Sequence, residues 1–164
     1  MNPPEALDLP AQSREDIAAA RRQLLAAARR RIDACLPRLA PDVLGGEEEL
    51  AELRRIATAG RGALIRVILH DPAAALRDGH RLIALAQRLP SLLEIRMPVE
   101  EADLAYASGY LLNDTGGYLF LPEAERPRGR AALCDRAAQA PLRQHFDAAW
   151  LRAVRASMLQ PLDL

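Results

Sequence analysis

The chain has 164 residues, half of them hydrophobic and only 4% aromatic, enough for one domain burying roughly 70% of its unfolded surface around an aliphatic core. Its 22 basic residues balance 22 acidic ones, and every basic residue is arginine, which excludes phosphate-loop, Schiff-base and kinase chemistry, all of which need lysine. The scarcity of stacking aromatics and the zero net charge argue against nucleic acid as a partner.

Residues 1–12 carry Pro3, Pro4 and Pro10 with Glu5 and Asp8 and lack the basic-then-apolar pattern of a signal peptide. They are expected to be a disordered tail, with the domain over 13–158, a C-terminal tail over 159–164, and a cytoplasmic location. Ser13 with Asp16 three residues later opens a helix over 13–30, its apolar stripe formed by Ile17, Leu24 and Ala28. Arg21, Arg22, Arg29 and Arg30 are read as its solvated face. Ile32, Ala34 and Leu36 alternate with Arg31, Asp33 and Cys35, a strand ended by Pro37. Glu47–Ala59 follows Gly45 and Gly46 as a second helix, acidic at its start, basic near its end and stopped by Gly60.

Ala63–His70 (ALIRVILH) is rich in branched residues and reads as a buried central strand. Its apolar run is far shorter than the roughly 20 residues a membrane span needs. A helix over 79–89, stopped by Pro90, leads to a strand over 92–97. Strand–helix–strand–helix–strand predicts parallel pairing through right-handed crossovers. Tyr106–Leu112 and Gly117–Leu121 flank Asn113, Asp114, Thr115 and Gly116 as a hairpin. Arg126–Arg130 (RPRGR) is the one dense basic loop, Ala131–Asp135 an edge strand, and Pro141–Ala156 a closing helix with Leu142, Phe146, Trp150 and Val154 as its core stripe. The fold class is α/β, a mixed sheet of about six strands with helices on both faces.

This order of elements resembles one half of the phospholipase D superfamily over roughly residues 20–156. In active members the hairpin carries His, any residue, Lys, four residues and Asp. With Asp114 as the Asp, the His position falls on Ala107 and the Lys position on Gly109, so both catalytic groups are missing. Phe146–Ala153 is similar to the Phe and Trp pattern that closes many such domains. Gly79–Arg96 resembles a bacterial domain family some of whose members carry it after an acetyltransferase domain. Because active members pair two halves about a two-fold axis, the resemblance implies a symmetric homodimer. It further implies a catalytically inactive domain with a binding or regulatory role, its partner a phosphorylated small ligand or an acyltransferase.

The chemistry-bearing residues outside that motif are few. His70 and Asp71 end the central strand, where open α/β sheets hold ligands, and His80 and Arg81 begin the next helix, whose N-terminus suits an anion. His80 with Asp71 forms the alternative catalytic pair of a divergent phosphodiesterase or hydrolase. A structural subunit of a complex is a further alternative. His70, His80, Arg81, Arg88, Ser91 and Arg96 are anion-binding candidates, the arginines because a guanidinium fork suits phosphate oxygens. His145 lies beside the closing helix's stripe with no partner evident, and Asp114 is expected to satisfy amides of its own turn. No metal spacing and no cofactor motif occurs, and Cys35 and Cys134 read as small core residues.

Overall fold

The computed structural model describes residues 7–160. Ser13 caps α1 (Arg14–Ala27) by accepting the Asp16 N–H at 3.1 Å, as its spacing predicts. The alternating segment forms β2 (Arg31–Leu36), followed by α2 (Glu47–Ala57) and the branched strand β3 (Leu64–Leu69). Asp71 and Pro72 do more than end β3. Asp71 caps a short helix α3 (Pro72–Arg77) by accepting the Ala74 N–H at 3.1 Å, with Pro72 in the first turn where its missing N–H costs nothing. Helix α4 (Arg81–Arg88), β4 (Leu93–Met97) and a single turn α5 (Glu101–Leu104) follow. The hairpin is β5 (Gly109–Asn113) and β6 (Tyr118–Leu121), three residues shorter at its start than its apolar pattern suggests.

After β7 (Arg130–Ala132), helix α6 (Arg136–Arg152) begins five residues earlier than Pro141 suggests, because Asp135 caps it by accepting the Ala138 N–H at 3.0 Å. Pro141 therefore lies inside the helix. Val154, expected in the helical stripe, instead belongs to a two-residue strand β8 (Val154–Arg155) and is exposed. A 3-10 turn over Ser157–Leu159 takes in the start of the expected C-terminal tail; residues 161–164 lie outside the described part. At the other end, Asp8–Leu9 of the expected N-terminal tail form β1 against β7, and residues 1–6 lie outside the described part.

One sheet contains all of these strands, eight rather than six, in the order β1-β7-β6-β5-β2-β3-β4-β8. The two extra strands are the two-residue pairings at its edges, too short to leave a period in the sequence. β7 consequently lies between β6 and β1 rather than at the edge. The β2, β3 and β4 ladders are parallel and all others antiparallel. Strand pleating sends Ile32, Ala34, Ile65, Val67 and Ile95 to one face, where α1, α2 and α4 cover them. Cys35, Ile68, Tyr110 and Leu112 point to the other, under Phe146 and Trp150 of α6. Among the described residues no helix is long and apolar enough to cross a membrane.

Candidate functional site

The parallel strands end at Leu36 and Leu69, and antiparallel β5 starts at that same edge, since Cys35 pairs with Tyr110. The Lys position of the motif, Gly109, is therefore at the C-terminal edge of the sheet, where ligands of open α/β sheets bind. On the α1 face of this edge lies a cavity of about 370 Å³, bounded by Gly109, Leu111, Leu36, the 37–44 loop, residues 124–127 and α1. Its size falls in the ~300–1,000 Å³ range of small-molecule sites.

The wall contributed by α1 includes Arg21, which is only 5% exposed. Its Nε donates to Glu49 Oε1 at 2.5 Å and its Nη2 to Glu49 Oε2 at 3.3 Å. This corrects the solvated face expected for Arg21. The signal was available: Arg21 is four residues after Ile17 and three before Leu24, squarely on the apolar stripe. Glu49 also accepts the Leu44 N–H at 3.3 Å, tying the loop to the same carboxylate.

His80 supports that loop from beneath. Nδ1 accepts the Leu82 N–H at 3.0 Å, capping α4, and Nε2 donates to the Ala40 carbonyl at 2.9 Å. Both ring nitrogens are thus occupied, and Asp71 spends its carboxylate on the α3 cap. The structure does not join these two residues by a hydrogen bond.

The opposite face of the edge gathers Cys35, His70, Asp103, Tyr106, Tyr110 and His145. His145, without an evident partner in sequence, is enclosed by the motif's neighbours. The Tyr110 hydroxyl and its Nδ1 share a hydrogen bond at 2.7 Å, and Tyr106 stacks on its ring at 4.2 Å between centroids. Burial pushes the Tyr110 phenol well above the usual tyrosine range and the Cys35 thiol up to about 12. Burial likewise lowers His70 and His145, against the pull of Asp103. Asp103 itself is held low by a bidentate Arg152 at 2.8 and 2.9 Å. The free space here is about 10 Å³, room for about one water, so the cluster is packed.

The other expected positions are dispersed. Asp114 accepts the Arg29 and Arg30 N–H groups, each at 2.8 Å, pinning to the hairpin the bend between α1 and β2, since the helix expected over 13–30 ends at Ala27. The turn's own amides go instead to Asn113 Oδ1, from Thr115 at 3.1 Å and Gly117 at 2.7 Å. Arg96 donates to Glu94 at 2.8 Å and to the Trp150 carbonyl at 2.9 Å, and lies over the Trp150 ring. Arg81 and Arg88 do come together, with Arg54 of α2, along a surface groove that also contains Glu47. Ser91 and Ala107 are exposed, as is Cys134, which is not the core residue expected. Among the described residues no three His, Cys, Asp or Glu side chains converge as metal ligands.

Several solved structures share this arrangement. TrmBL2, an archaeal chromatin protein with a novel mode of DNA binding, is similar over 94% of this chain and 56% of its own, with a TM-score of 0.64 at 14% identity. Nuc from Salmonella typhimurium, a phospholipase D family member, is similar over 92% of this chain and 95% of its own, with a TM-score of 0.59 at 10% identity. For phosphatidylserine synthase of Haemophilus influenzae Rd KW20 the shares are 96% and 41%, with a TM-score of 0.60 at 14% identity. The chain thus spans about half the length of TrmBL2 and less of the synthase, but nearly all of Nuc. At these identities the shared property is the fold, the phospholipase D-like α/β sheet expected from the element order. No curated protein matches the chain. A family model described as Domain of unknown function (DUF7931) matches residues 13–162, and the chain belongs to that family.

Proposed function

We propose that the protein is a catalytically inert phospholipase D-like domain that binds a ligand at the C-terminal edge of its sheet. The observation that carries this reading is the state of the three motif positions. Ala107 and Gly109 supply no nucleophile and no phosphate-holding cation, and both carboxylate oxygens of Asp114 are committed to backbone amides at 2.8 Å. Covalent catalysis and charge stabilisation together carry most of a phosphodiesterase's rate enhancement. Without those groups the same edge keeps a cavity beside Gly109, which suits binding without turnover.

A phosphorylated ligand is a second form of this reading, favoured by the groove where Arg54, Arg81 and Arg88 face one acid, Glu47. The homodimer implied by the resemblance belongs to the same proposal, and sedimentation at monomer mass alone overturns it.

The test is a thermal shift with inorganic phosphate, nucleotides, phospholipid head groups, acyl-coenzyme A and short DNA, each recovered afterwards and weighed by mass spectrometry. The expected result is a shift of several degrees for a compound at about a hundred times its dissociation constant, with that compound recovered intact. A hydrolysed product overturns inertness. No shift with any compound overturns the small-ligand role. A phosphate shift that survives Arg88→Gln overturns the groove.

A further inference from the structure

The cavity beside Gly109 carries several charged side chains in its wall, of which Arg21 is the buried one. Clamped by Glu49, the guanidinium also donates from Nη2 to the Asp42 carbonyl at 3.4 Å, while Nη1 has no hydrogen-bond partner among the described residues. No side-chain nitrogen or oxygen of those residues is both buried and unpartnered. Arg21 lines the cavity, and Nη1, neither buried nor partnered, is the nitrogen left to serve a ligand there. A donor fixed by a buried carboxylate in the wall of a cavity is a preorganised anchor for an acceptor group.

The loop beside Arg21 holds a second departure from ordinary structure. Leu44 has a φ of 55°, in the left-handed region, at a cost of about 1–2 kcal/mol for a side chain other than glycine. The loop is fixed there by Glu49 on the Leu44 N–H, by His80 on the Ala40 carbonyl, and by Gly45, where a Cβ would approach the Pro41 carbonyl oxygen to 2.3 Å. Strain of this kind persists where surrounding structure over-determines it, and it concentrates at ligand sites.

The pairing of the charges narrows the ligand class. Among the cations lining the cavity, Arg21 is matched by Glu49, Arg38 by Glu125 and Arg126 by Glu123. Arg14 alone has no acidic partner among the described residues. It lies seven residues before Arg21, on the same face of α1 and about 10 Å along the axis, with Ile17 and Ala18 between them. Asp42 also lines the cavity and has no cationic partner among the described residues, so the charges around the cavity sum to zero and oppose a polyanion.

We infer that this cavity binds a small amphipathic monoanion, a carboxylate on an apolar chain, its oxygens on Arg21 Nη1 and Arg14 and its chain against Leu111 and Ala18. The inference rests on the inert reading, since it seats a ligand where a catalytic lysine would otherwise reach.

The test is titration calorimetry of the full chain with octanoate, octanamide and octyl phosphate. Octanoate is expected to bind at least tenfold more tightly than octanamide. Arg14→Gln, at an exposed residue with no partner to strand, should weaken octanoate about tenfold and leave the melting temperature of the free protein unchanged. Ala18→Phe should abolish binding by filling the space. Equal affinity for octanamide, binding of octyl phosphate alone, or full affinity in Arg14→Gln overturns the assignment. Should Ala18→Phe fail to fold, Arg14→Gln decides. Absence of octanoate binding removes this ligand class and leaves inertness standing, whereas turnover of a phosphodiester removes inertness whatever binds.

Discussion

Asp33 accepts a 2.7 Å hydrogen bond from Arg66 Nε, straight across the parallel pair β2 and β3, where the register sets the two residues opposite each other. Arg143 of α6 closes on the other oxygen, and Asp147 takes a second Arg66 nitrogen at 3.2 Å. Asp33 is 1% exposed, so its charge is tolerable only because two guanidiniums neutralise it. Asp33→Ala should therefore cost about 3 kcal/mol, because it leaves Arg66 with Asp147 alone and Arg143 with only the Asn113 carbonyl. Urea unfolding reads this directly, and a loss below about 1 kcal/mol would contradict the network.

Asp114 gives a prediction of the opposite character from a catalytic one. Removing its carboxylate frees the Arg29 and Arg30 N–H groups in the bend between α1 and β2, each a net loss of about 0.5–1.5 kcal/mol. Asp114→Ala should lower stability by about 1–3 kcal/mol, with ligand affinity unchanged. A change in affinity at unchanged stability would restore a functional role to this position.

His80 is expected to act through the backbone it holds. His80→Ala leaves the Leu82 N–H and the Ala40 carbonyl without partners, at about 1–3 kcal/mol each where water cannot reach them. His80→Asn keeps a side-chain acceptor at the cap and should recover part of the loss. Chemical denaturation of both variants checks the order, and equal losses would contradict the capping account.

Acidification should weaken the fold through His70 and His145. Burial holds both below the ordinary value of 6.5, so the folded state keeps them neutral while the unfolded chain protonates first. Their contribution is fully present above pH 6.5 and is lost as pH falls below it toward the folded values. The melting temperature should drop between pH 7.5 and 5.5, and His145→Gln should reduce that slope. A flat profile in the wild type would show that neither histidine is disfavoured as a cation.

Much of the framework is legible in the sequence because its signals are local. The alternation from Ile32 to Leu36, the branched run Leu64–Leu69 and the turn at Asn113–Gly116 each announce an element through its own residues. Asp71 and Pro72 were ambiguous, since the same pair ends a strand and starts a helix. The edge strands β1 and β8, two residues each, exist only because β7 and β4 offer them a ladder. The site was less legible because its partners are distant in the chain. Arg21 meets Glu49 twenty-eight residues on, and Tyr110 meets His145 thirty-five residues on, separations no periodicity encodes. The empty motif positions Ala107 and Gly109 were readable only through resemblance, since their meaning is the chemistry they lack.

The central claim is that this edge of the sheet binds and does not cleave, and the rate of bis(4-nitrophenyl) phosphate hydrolysis at high protein concentration tests it most directly. The account predicts a rate equal to buffer for the wild-type protein and for His70→Ala, His80→Ala and His145→Ala alike. A rate above buffer that copurifies with the wild type and vanishes in one of those histidine variants would contradict it and name the replacement nucleophile.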